Sequence, residues 1–373
     1  MTPRLLTAVA AVAAVAAATL ANADDGRRSE YREPHGAVYT MTNEAAGNAI
    51  LVFDRLANGR LVPASRVPTG GNGTGAGLGN QGGLVLSSNG RWLLTVNAAS
   101  NSVSLFEVRS QGLRLADVVS SGGDRPISVT EHHGVVYVLH SGTDTIAGFA
   151  IDHGRLSPIP GAVRGLSGTG VGPAQIAFAP DGDRLLVTEK ATNLIVSYPV
   201  DRDGVAGTPQ VQASNGVTPF GFAFGKRDQV FVSEAFGGAP SGAATSSYRI
   251  EHDGTLATVS ASIATNQTAA CWAAVTPNGR YLYVTNAGSG VISGYRVAFD
   301  GELALLDPDG RTGITGPGST PLDMAIADGG RVLYVLNGGS HSIGAFRIGP
   351  AGALTALPVS VPVPGAANGL AVR

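Results

Sequence analysis

The 373-residue sequence has a single cysteine, Cys271, so no intramolecular disulfide can form and stability must come from packing. Charge is scarce too: Asp, Glu, Lys and Arg make up 14% of the chain, with 25 basic against 27 acidic residues and no basic block. That balance lacks the electrostatic footprint of a nucleic-acid binder, so nucleic acid is set aside as a partner. Apolar residues nowhere follow the 3.6-residue period of a long amphipathic helix, which excludes a helical protein. Glycine is what the chain has in quantity, at 53 residues, with 21 prolines beside it. The chain therefore reads as all-β.

The first residues carry an address. Arg4 precedes an Ala/Val/Leu run from Leu5 to Leu20, and Ala21-Asn22-Ala23 before Asp24 has the small-x-small pattern of a signal-peptidase site. Residues 1–23 are read as a cleavable signal peptide, which makes the mature protein secreted or periplasmic. The apolar run is shorter than the roughly 20 residues a membrane span needs, so no span is expected in the mature chain. Residues 24–36 form a polar leader, and 37–373 remain as one domain.

That domain is periodic. A short apolar segment ending in a polar residue returns seven times, as Val38–Asn43, Leu93–Asn97, Val136–His140, Leu185–Glu189, Val230–Glu234, Leu282–Asn286 and Leu333–Asn337. The copies lie 43 to 54 residues apart, the size of a propeller blade of four strands. Their β-branched and aromatic content suits a strand buried on both faces. The sixth repeat parses as strand A from Trp272 to Thr276, B from Tyr281 to Asn286, C from Val291 to Val297 and D from Leu303 to Leu306. Asn-Gly, Asp-Gly and His-Gly pairs mark the tight turns between A and B and between C and D, where glycine supplies positive φ. The first B segment has no strand A before it, and Asn368 to Arg373 looks like a strand A with no B after it. The two are expected to share one sheet and close the ring, which leaves no exposed edge.

In such a ring the A–B and C–D turns fall on one face, the bottom, and the B–C and Gly-rich D–A loops on the other, around the channel mouth. Binding residues are expected in those top loops. The position ending strand B is Asn in four copies but His140, Glu189 and Glu234 in three consecutive ones. Two neighbouring carboxylates push one pKa upward, which suits a general base near neutral pH. Glu189 is thus a candidate to activate water, with Glu234 beside it and His140 as proton shuttle. Lys190 or Arg125 would stabilise an oxyanion, and Gln175, Asn286 and Asn337 complete the substrate-binding candidates. The same strand-end residues have a purely structural reading, as caps on strand ends or partners of the next blade's amides.

Other motifs carry less. Gly77-Leu78-Gly79-Asn80-Gln81-Gly82 formally matches a dinucleotide GxGxxG, but it enters a strand rather than joining strand to helix, and is rejected. No cofactor is expected. Asp307-Pro308-Asp309-Gly310, on a D–A connection, is the place where a divalent cation is entertained, although no spaced Glu follows as in an EF-hand.

The residues Gly172-Pro173-Ala174-Gln175-Ile176-Ala177-Phe178-Ala179-Pro180-Asp181-Gly182, followed by Leu185–Glu189 and the related Leu282-Tyr283-Val284-Thr285-Asn286 ladder, resemble the YVTN propellers. More closely, they resemble the bacterial lactonase family with a seven-bladed propeller, which includes 6-phosphogluconolactonases and 3-carboxymuconate cyclase-like proteins. The resemblance implies a seven-bladed fold and hydrolysis or formation of a lactone at the top of the channel. Active members look as though they carry Arg-His after the Gly-Pro of an inner strand and a Glu just after strand B. Here Ala174-Gln175 follows Gly172-Pro173, and Glu189 stands within a residue of that Glu. No Arg or Lys cluster lines the top loops, which argues against a phosphosugar. The expected partner is a small lactone or another extracytoplasmic ligand, bound by a monomer. The alternative is a non-catalytic propeller whose top loops bind a protein, glycan or small molecule.

Overall fold

The computed structural model describes residues 34–373, so the signal peptide and most of the polar leader lie outside the described residues. Strands begin at Ala37 and gather into seven antiparallel sheets, each a meander from an inner strand A to an outer strand D. From blade 1 to blade 7 the inner strands are Asn368–Val372, Leu84–Leu86, Pro126–His132, Pro173–Phe178, Pro219–Phe224, Ala270–Val275 and Pro321–Ala327. Each touches the next, and the seventh returns to the first, so the sheets form a closed ring. The expected seven-bladed propeller is the observed one.

The periodic B segments end where the sequence places them in blades 2 to 7 and start one residue earlier, as in Trp92–Asn97 and Arg184–Glu189. Every residue of these two strands is buried, which accounts for their unbroken apolar and β-branched runs. Blade 1 differs: its strand ends at Met41, because Asn43 turns out of extended geometry with φ +50°. Closure is as expected. Val38 pairs with Val372, Tyr39 with Ala371 and Met41 with Asn368, and Thr40 donates its hydroxyl to the Gly369 carbonyl at 2.7 Å.

Blade 6 departs from the four-strand pattern. Its outer strand comes in two pieces, Leu303–Leu305 and Gly313–Ile314, both paired to Val291–Val297. Between them the 307–310 segment receives the blade 5 loop: Asn266 donates to the Pro308 carbonyl at 2.9 Å and Gln267 to that of Asp309 at 2.6 Å. Gly310 is required there, since a Cβ would lie 1.8 Å from the Thr265 carbonyl oxygen.

In blades 3 to 7 strand A slips register just after its first residue, at Pro126, Pro173, Pro219, Ala270 and Pro321. A bulge re-aims the side chains that follow it. Ser128 accepts from the Ile176 N–H of the next blade, and Gln175 bonds both the Phe222 N–H and its carbonyl at 2.7 and 3.1 Å. The rim of the channel is thereby sewn blade to blade.

Candidate active site at the channel mouth

The upper end of the channel is closed by the Gly-rich connection entering blade 2. Leu78 and Asn80 are buried. Asn80 bonds the Ile127 carbonyl of blade 3, accepts from Asn368 of blade 1 at 2.9 Å, and offers its own carbonyl to the Trp272 indole of blade 6 at 2.8 Å. Gln81 reaches across to blade 6, accepting from the Ala273 N–H at 3.1 Å and donating to its carbonyl at 3.0 Å, while its main-chain N–H bonds Ala174 of blade 4. Blade 5 makes room with Gly221, where a Cβ would fall 1.9 Å from Gln81 Oε1. The segment that formally matches a dinucleotide motif is a plug.

Lys190 sits on that plug. Its ammonium donates to the Gly79 carbonyl at 2.6 Å and the Pro173 carbonyl at 2.8 Å, and lies 4.9 Å over the Phe220 ring. Burial, with the nearby Arg125 charge adding to it and Cys271 opposing, lowers the Lys190 pKa to about 8. Arg125 lies on the blade 2–3 connection with φ +54°. Beneath, Phe220, Trp272, Cys271 and Ala174 form an apolar floor, with the Phe220 and Trp272 rings 5.0 Å apart. Burial pushes the Cys271 thiol up to about 12, so it is a protonated, inert hydrophobe at physiological pH.

Sequence reasoning missed a carboxyl in the inner ring. Asp323, on strand A of blade 7, accepts from the Met324 N–H at 3.0 Å and lies against the Gly82 and Leu370 amides. Burial outweighs those three donors and raises it to about 7. A signal was available: Ser128, Gln175 and Asp323 each stand two residues after the proline that opens an inner strand.

The strand-end residues turn away from the channel, toward strands C and D and the adjoining loops. Glu189 accepts from Ser167 N–H and hydroxyl and from Thr192 at 2.7 Å. Glu234 accepts from the Ser246, Ser262 and Ser214 hydroxyls and the Gly216 N–H. Burial raises its pKa despite these donors. His140 bonds the Thr145 carbonyl through Nδ1 at 3.2 Å, and burial lowers its pKa, keeping it neutral. The Asn286 amide donates to Ser293 at 2.9 Å, and Asn337 is buried at the equivalent place. Among the described residues no hydrogen bond joins His140, Glu189 and Glu234; each belongs to its own blade. Among sequence candidates, the structure gathers Lys190, Arg125 and Gln175 around the plug. Among the described residues no cluster of three or more metal-ligating side chains forms, and no helix is long and apolar enough to cross a membrane.

A closed ring of seven four-stranded sheets with a plugged channel defines a seven-bladed β-propeller. The family model described as "Lactonase, 7-bladed beta-propeller" matches residues 10–171 and 243–368, and the chain belongs to that family. The matched segments leave out residues 172–242, which hold the four strands of blade 4 and the two inner strands of blade 5, with Gln175, Glu189, Lys190 and Glu234. No curated protein matches the chain in sequence. Among solved structures, a candidate 6-phosphogluconolactonase from Bacteroides fragilis is 19% identical with a TM-score of 0.73, covering 91% of this chain and 98% of its own. The periplasmic gluconolactonase of Pseudomonas aeruginosa is 18% identical with a TM-score of 0.72, covering 90% and 98%. A Lactobacillus plantarum protein reaches 0.74 at 17% identity, covering 91% and 100%. At these identities the three speak for the fold.

Proposed function

We propose that the protein is an exported, monomeric lactone-acting enzyme whose site lies at the top of the channel around Lys190. The supporting observation is an ammonium with a pKa lowered to about 8, using two of its N–H groups on main-chain carbonyls, beside Arg125 and above an apolar floor. Its third N–H is available to a ligand oxygen. In this reading the lactone carbonyl oxygen meets Lys190 and Arg125, which stabilise the charge that grows there as water attacks. Asp323, titrating near 7, takes the proton from water and returns it to the ring oxygen as the C–O bond breaks, giving the hydroxy acid. Glu189, Glu234 and His140 serve as positioning residues that fix the surrounding loops. Substrate reaches Asp323 only if the plug shifts. Lactone formation from a hydroxy acid, with loss of water, is the same chemistry run in reverse; closure of a carboxymuconate would instead add a carboxylate oxygen across a C=C bond, with a proton delivered to the neighbouring carbon.

A panel of γ- and δ-lactones, plain and carboxylated, assayed on the mature chain with and without chelator, tests this reading. Turnover is expected, with Lys190→Met lowering kcat by about 100-fold, the usual cost of one oxyanion donor. Loss of activity in chelator would assign a divalent cation. A single N-terminus at Asp24 and a monomer mass in solution test export and assembly. One observation favours the non-catalytic alternative: the plug fills the mouth with hydrogen bonds to blades 1, 3, 4 and 6. No turnover of any lactone under either condition would select it.

A further inference from the structure

Three seams between blades are stapled in the same way. Tyr137 of blade 3, Tyr283 of blade 6 and Tyr334 of blade 7 each donate the phenol to a glycine carbonyl in the C–D turn of the following blade, Gly204, Gly352 and Gly59, all at 2.8 Å. Blade 1 has a tyrosine in the same register. Tyr39 pairs with the residue just before the strand C aromatic Phe53, as Tyr137 does before Phe149 and Tyr334 before Phe346. The next blade also supplies the glycine, Gly112, with positive φ. Here the staple is missing. Tyr39 turns its phenol to the Arg373 side chain, and Tyr39 and Gly112 face each other across a bottom-face cleft of about 540 Å³.

Two features open it. The residue paired with the stapling tyrosine is Gly148, Gly294 or Ala345, whereas in blade 1 it is the branched Val52. The blade 2 hairpin is also cut short, with Arg109 pairing directly to Gly112 around Ser110 and Gln111. The opened wall is charged. Of the three arginines that share the Glu107 carboxylate, Arg91, Arg109 and Arg114, Arg109 is the one that lines the cleft. Opposite stand Arg373 and Asp54. The main-chain oxygen of Arg373 is taken by the Ala37 N–H and by Arg55, so it does not compete for the cleft.

We propose that this cleft is a binding site for a small hydroxylated carboxylate. Arg109, which spends its Nε–H and one Nη2–H on Glu107, turns its remaining N–H groups to the carboxylate together with the Arg373 guanidinium. Tyr39, Asp54 and the Gln111 amide take the hydroxyls. The volume lies within the range of about 300–1,000 Å³ typical of small-molecule sites. The site lies on the opposite face from Lys190 and does not rest on the channel reading.

Calorimetric titration with gluconate tests it, against glucitol as the neutral polyol and sulfate as a bare anion at equal ionic strength. Saturable gluconate binding is expected, at least tenfold tighter than either comparison. Arg109→Gln, on an exposed hairpin where folding is not at stake, and Asp54→Asn should each weaken it tenfold or more. Lys190→Met should leave it unchanged. Absence of saturable binding, equal affinity for sulfate, or indifference to both cleft variants would overturn the proposal. Loss of binding in Lys190→Met would move the site to the channel and overturn it equally.

Discussion

Replacing Asp323 with Asn should make this protein more stable at pH 8 than the unaltered chain. The carboxyl has its proton affinity raised by burial, from an ordinary value of 3.8 to about 7. The unfolded chain therefore ionises this group from about pH 4, while the folded protein keeps the proton to near neutrality. Because the folded state binds more protons in this window, stability falls as pH rises through it and levels off above about pH 8. The full effect is roughly 4 kcal/mol, from about 1.4 kcal/mol per tenfold change in proton affinity. Asn reproduces the protonated carboxyl, with one acceptor oxygen for the Met324 N–H. Urea unfolding of both proteins at pH 5 and pH 8 is the assay. An advantage to Asp323→Asn of about 1.6 kcal/mol is expected at pH 5, which is already above the unfolded value of 3.8, growing to about 4 kcal/mol at pH 8. A variant less stable at pH 8, or a pH difference common to both proteins, would refute the reasoning. The same variant should lose lactone turnover if Asp323 is the base, so stability and activity would move in opposite directions.

Gln81 uses both ends of its amide on Ala273, so Gln81→Glu, which sets a carboxylate oxygen against a carbonyl, should lower Tm more than Gln81→Ala. The alanine variant forfeits two neutral hydrogen bonds, about 1–3 kcal/mol together. Tyr283→Phe should cost about 1–2 kcal/mol by freeing the buried Gly352 carbonyl, measurable as a lower urea midpoint with unchanged slope. Deleting residues 368–373 removes the inner strand of blade 1 with buried Leu370 and Ala371; a Tm unchanged by the deletion would contradict ring closure.

The blades were legible in the sequence because a strand buried on both faces must be apolar at every position, as Leu282 to Val284 are, and because turns demand glycine at fixed places. The chemistry was less so. His140, Glu189 and Glu234 stand out in a position otherwise held by Asn, and the sequence marks the oddity correctly. It does not reveal which way a strand-end side chain points, and here all three point away from the channel: Glu189 to the loop residues Ser167 and Thr192, Glu234 to Ser246 and Ser262 on strands C and D, and His140 to Thr145 on strand C. Asp323 was hidden for a related reason. A register slip after Pro321 turns it inward, and the proline two residues earlier, shared with Ser128 and Gln175, marks the slip only once the repeats are aligned on their inner strands. The plug reads in the sequence as a flexible glycine-rich connection, since its order comes from partners almost 200 residues away at Trp272 and Ala273.

Blades in a propeller usually feel only their two neighbours, like links in a bracelet. Asn80 and Gln81 give this one a hub: a pair of side chains whose bonds radiate to sheets on opposite sides of the wheel. Loosening any spoke disturbs the centre, and through it the far rim. Hydrogen exchange at Ala273 should then rise and fall with the integrity of blade 2, although the chain between them runs through three other blades.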